Sequence, residues 1–122
     1  MRIFKAKKLA RFTKRERIDD ASLARAIAEA ERGLIDADLG GHVIKKRVPR
    51  AGQGESGGYR MLIALRTKHR AVFLFGFAKN ELDNIDDKQL TTLREAAAYW
   101  LAVDDKRLEQ ALKDGNLIEV RQ

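Results

Sequence analysis

The spacing of apolar residues along the chain switches from helical to alternating and back again. Ile3 and Phe4 form a short apolar stretch that predicts an edge strand. Leu9 and Phe12, followed by Ile18, predict a short helix with basic residues on its other faces. Leu23, Ala26, Ile27 and Ala30 recur at i, i+3, i+4 and i+7, the stripe of a second helix, with Asp20 expected as its N-cap. Gly33 is suited to end it. After the turn at Leu39-Gly40-Gly41 the period falls to two.

Alternation over 43–48 puts Lys45 and Arg47 on one strand face and Ile44, Lys46 and Val48 on the other. Pro49 should close that strand or confine its end to an edge. Residues 50–58 hold four of the nine glycines and predict a loop with left-handed backbone. Over 59–66, Tyr59, Met61, Ile63 and Leu65 face away from Arg60, Leu62, Ala64 and Arg66. A hairpin turn at 67–70 leads to 72–78, apolar on both faces as a central strand requires. The helical period then returns, with Leu90, Leu93, Ala97, Trp100 and Leu101 in one stripe and Leu108, Ala111 and Leu112 in another. Gly115 should stop the second of these helices, and 117–120 reads as a last short strand. The sum is an α+β fold: N-terminal helices packed on a small antiparallel sheet, built on a three-stranded meander, with a helical C-terminal extension. No repeat or linker divides residues 1–122, so one domain is expected.

The 122 residues contain no Cys, which excludes disulfides, thiolate metal sites and a Cys nucleophile. The longest apolar run, 71–78, is eight residues long. A bilayer span needs roughly 20. The opening MRIFKAKKLARF lacks the apolar segment of a secretory signal, and a cytoplasmic protein is expected. Charge is blocky. Residues 1–17 carry net +7 and 42–70 another +7, against −4 for 18–41 and −3 for 71–122. Such blocks favour a polyanion or an acidic protein partner.

Gly52-Gln53-Gly54-Glu55-Ser56-Gly57 fits the G-x-G-x-x-G string, but a strand follows it where a dinucleotide site needs a helix. His42 and His69 stand 27 residues apart, one before a strand and one in a turn, poorly placed for a two-imidazole nuclease. No His/Asp/Glu cluster has metal-ligand spacing, so neither metal nor cofactor is expected. The sharper constellation is cationic. Lys45 and Arg47 share a face, Arg60 and Arg66 follow on the next strand, and Lys79 ends the third. Lys46, Arg50 and Asn80 extend the set of expected phosphate contacts. Cations gathered beside a Gly-rich loop make a poor sheet surface unless an anion binds there.

The stretch KKRVPRAGQGESGGYRMLIALR, followed by AVFLFGFAKNELDNI, resembles the HigB-like branch of the RelE/ParE toxin superfamily. The Asp38-Leu39-Gly40-Gly41 turn and the terminal LIEV fit it as well. The resemblance implies a RelE-like fold and the toxin of a type II toxin–antitoxin system. Such a toxin cleaves mRNA on the ribosome without metal and is held by a helix-turn-helix, HigA-like antitoxin in a hetero-oligomer. It places the active site on Lys45, Arg47, Arg60 and the Lys79-Asn80 pair. Glu55 stands where that branch usually carries a basic residue, which predicts weaker phosphate binding at the loop. Two other functions fit the same surface: a ParE-like inhibitor of DNA gyrase, and a non-catalytic RNA- or ribosome-binding module.

Overall fold

A computed structural model describes residues 1–50, 54–78 and 85–122, with the side chains of 54–57 excepted. Lys79, Asn80 and the Glu55 side chain therefore lie outside the described residues. In chain order the elements are β1 (Arg2–Ala6), α1 (Lys7–Glu16), α2 (Asp20–Glu31), β2 (Ala37–Asp38), β3 (Val43–Arg50), β4 (Gly54–Arg66), β5 (Arg70–Ala78), α3 (Asp87–Ala102), α4 (Asp105–Asp114) and β6 (Leu117–Glu119). The strands form one six-stranded sheet in the order β2-β3-β4-β5-β1-β6. All pairings are antiparallel except that of β1 with β5, which is parallel.

The expected meander is present as β3, β4 and β5, within a larger, mixed sheet. β1 is not an edge strand. Ile3 and Phe4 are both fully buried, one in each of two cores on opposite faces, which is the signature of an interior strand. The first core takes Leu9 and Phe12 from α1 and Leu23, Ala26 and Ile27 from α2, against Met61, Ile63 and Phe73. The second takes Ala97 and Leu101 from α3 and Leu108 from α4, against Leu62, Ala64 and Val72. The C-terminal helices are thus a second covering layer rather than an extension. Strands apolar on both faces must be buried on both.

Boundaries shift for local reasons. Asp19, not Asp20, caps α2: its carboxylate accepts from the Ser22 amide at 2.9 Å. Asp20 instead accepts from Lys5 Nζ at 2.9 Å and the Arg121 amide at 2.8 Å, tying β1, α2 and the C-terminus together. α4 ends at Gly115, whose φ of +77° suits glycine. α3 opens with a capping box between Asp86 and Gln89. β3 runs on through Pro49 to Arg50 and β4 reaches back to Gly54, so six of the nine residues of the expected Gly-rich loop are strand. No described helix is long and apolar enough to cross a membrane.

Candidate functional site

The antiparallel registers of β3, β4 and β5 set side chains in cross-strand rows. Arg47 lies opposite Arg60, and Arg60 opposite Phe77. One step along the same face, Lys45 lies opposite Leu62 and Leu62 opposite Phe75. Lys45, Arg47 and Arg60 are half-buried, whereas a cation on an open sheet face would be largely exposed. Two arginines placed directly opposite each other repel. A carboxylate moderates this: Arg60 Nε sits 3.3 Å from Asp36 Oδ2, the two side chains being 15% and 25% exposed. Arg60 Nη1 is buried and meets no hydrogen-bond acceptor among the described residues.

Backbone contacts hold this row in place. The Asp36 amide donates to the Lys45 carbonyl at 2.8 Å, fixing Asp36 against the strand that bears Lys45 and Arg47. At Gly58 an added Cβ would fall 2.8 Å from the Val48 carbonyl oxygen and 3.2 Å from Arg47 Cγ. Close approach, rather than the left-handed backbone expected from the sequence, is what requires glycine there. Arg94 on α3 donates to the Leu39 carbonyl through Nε at 3.0 Å and also through Nη2, which fastens α3 to the turn entering β3. Asp36, Gly58 and Arg94 escape a sequence reading because each acts through a partner remote in the chain.

The other expected phosphate contacts lie elsewhere. Lys46 is on the opposite face, buried, with Nζ 2.9 Å from Glu29 Oε1. That pairing, a hydrogen bond from Lys46 first of all, holds the Glu29 carboxyl below its ordinary range. Arg50 is exposed and sits over the Tyr59 ring, 5.9 Å from its centroid, on the α1–α2 face. Tyr59 packs in the core, edge-on to Phe12 at 5.5 Å, with its hydroxyl donating to Glu16 at 3.1 Å. Burial, then the Glu16 contact, pushes the Tyr59 hydroxyl pKa up. Arg66 belongs to a different row, with Arg70 and Arg2, at the far end of β4. In that row Arg2 is held by Glu119 and Glu109, and Arg70 by the carbonyls of Trp100 and Val103.

Both histidines lie at that far end. The His42 carbonyl accepts from the Leu65 amide, and the His69 amide donates to Arg66. Leu65 is five positions along the strand from Arg60, roughly 17 Å. Among the described residues no group of three His, Asp or Glu side chains gathers as a metal site. Two cavities flank Phe75 at the β5 end of the cationic face. One, of about 370 Å³, lies between α1 and β5, and the other, of about 300 Å³, between α1 and α3; Lys8 lines both.

The face thus offers two opposed guanidinium groups and a lysine, half-screened from water, at one end of a sheet. Guanidinium forks in that setting suit phosphate oxygens. No curated protein matches the chain significantly. The family model for the RelE toxin of the RelE/RelB toxin–antitoxin system matches residues 1–120, nearly the whole chain and every strand that bears the cationic row. By that match the chain belongs to the RelE toxin family: it is the toxin of a toxin–antitoxin system, with an antitoxin as its partner.

Proposed function

We propose that this toxin belongs to the HigB-like branch and inhibits translation as an mRNA endonuclease acting on the ribosome in the cytoplasm. The observation that supports this most directly is the half-buried Arg47–Arg60 pair, set directly opposite each other on β3 and β4. In the reaction the RNA 2′-hydroxyl attacks the adjacent phosphorus and the bond to the 5′-oxygen breaks. The products are a 2′,3′-cyclic phosphate and a 5′-hydroxyl; one proton leaves the 2′-oxygen and one reaches the 5′-oxygen. The chemistry uses no metal. Arg60 clamps the phosphate and stabilises charge that grows in the transition state, and Arg47 assists. Lys45 or Lys79 carries a proton, and Asn80 positions substrate by hydrogen bonding. A HigA-like helix-turn-helix antitoxin covers or distorts this face in the resting hetero-oligomer.

Cell-free translation of a defined mRNA tests the proposal. The expected result is transcript cut within the translated region and loss of product at substoichiometric toxin. Intact transcripts with undiminished synthesis at excess toxin would overturn it. Inhibited gyrase supercoiling alongside them would assign the ParE-like function instead.

A further inference from the structure

The Arg47–Arg60 row would tend to splay, since like charges directly opposed on neighbouring strands destabilise the pair. Each guanidinium has several rotatable bonds with which to escape. Arg60 does not escape: its Nε is held 3.3 Å from Asp36 Oδ2. Asp36 is itself fixed from behind, its amide donating to the Lys45 carbonyl at 2.8 Å. Next to it, Ala37 pairs with Lys45 at the start of the β2 ladder. The carboxylate thus belongs to the edge of the sheet but acts on the second strand in. Its contact at Nε leaves Nη1 buried and without an acceptor among the described residues, a donor that only a group reaching into the face can satisfy.

We propose that Asp36 is a positioning residue: it locks the Arg60 guanidinium in the orientation that presents its remaining donors to an RNA phosphate. This rests on the ribonuclease reading above. Asp36 does not itself touch the phosphate. Its charge opposes phosphate binding, so it lowers ground-state affinity while raising the rate of the chemical step. That opposition gives the proposal a signature that a purely structural residue lacks.

The test uses the full-length toxin and single-turnover cleavage of mRNA on programmed ribosomes over a range of toxin concentrations. Asp36→Asn keeps the side-chain shape and removes the charge. It should lower the maximal rate by about tenfold or more, because misplacing a catalytic group by a fraction of an ångström costs that much. The half-saturating concentration should stay the same or fall. Asp36→Glu, which keeps the charge, should retain most of the rate and guards against a variant that fails to fold, which thermal melting would show. On an Arg60→Ala background Asp36→Asn should cause no further loss. An equal loss on both backgrounds would overturn the proposal. Faster cleavage by Asp36→Asn would also overturn it, making Asp36 a competitor for the phosphate site.

Should the wild type cleave nothing, the ribonuclease reading fails, and binding of a 2′-O-methyl RNA oligonucleotide decides the role of Asp36. An effect of Asp36→Asn on that binding that vanishes with Arg60→Ala would uphold the positioning role. An equal effect on both backgrounds, or no binding at all, would overturn it.

Discussion

Lys45 and Lys46 are adjacent in sequence and opposite in fate. Lys45 stands half-buried on the cationic face, while Lys46 is buried under α2 against Glu29. Alternation alone separates them, and it was legible in the sequence; the partner of Lys46 was not, because Glu29 lies on a different element. Lys46→Ala should therefore destabilise the fold, leaving Glu29 without its cation, and should leave cleavage by the folded fraction unchanged. Chemical denaturation run beside the cleavage assay checks both halves. The pair also fixes a pH dependence. Glu29 has a folded pKa below its ordinary value of 4.5, so its stabilising contribution is complete above that value. It is lost as pH falls from there through the lower folded pKa. Glu29→Gln should flatten the acid limb of the stability curve in that window and leave neutral and alkaline pH dependence alone. An unchanged acid limb would show that the pair adds nothing.

At the scale of elements, the stripes predicted for all four helices match those that become buried. So do the alternations of β3 and β4. What escaped was assembly. Nothing local in Ile3-Phe4 says that β1 will insert between β5 and β6 and run parallel to β5; that follows from where α1 and α2 carry the chain. The end of α3 was equally silent. Arg70, on β5, donates to the carbonyls of Trp100 and Val103 at 2.8 and 2.9 Å, satisfying groups that the helix end leaves open. Its contact with Asp105, an almost fully exposed side chain 3.8 Å away, adds little. Arg70→Met should cost about 3 kcal/mol through the two carbonyls left without a donor, one buried and one part-buried. Gly58→Ala forces either the Val48 carbonyl or Arg47 to move, so cleavage should fall along with about 1–3 kcal/mol of stability. Full activity in that variant would mean that Arg47 tolerates displacement.

At the scale of the molecule, the net charge of +7 is concentrated on α1 and on the strands of the meander. Like-signed charge of that extent steers an acidic partner or a polyanion and acts on the rate of encounter more than on final affinity. Association with the antitoxin should slow appreciably between low and physiological salt, with a smaller change in dissociation, as stopped-flow mixing would show. Salt-independent association would point to an apolar contact instead. The location of the cationic face was legible from strand alternation and from the resemblance to toxins. Its internal wiring through Asp36 was not, since a carboxylate 24 residues upstream gives no local signal. In the proposed reaction Arg60 acts on phosphate through the fork of its guanidinium rather than through charge alone. The most direct measurement is single-turnover cleavage on programmed ribosomes by wild type and Arg60→Lys, with end-group analysis of the products. The wild type should leave 2′,3′-cyclic phosphate ends, and Arg60→Lys should cleave at least about a hundredfold more slowly, because an ammonium cannot replace the bidentate donor. Near-wild-type cleavage by Arg60→Lys, or products ending in a 3′-hydroxyl, would contradict this mechanism.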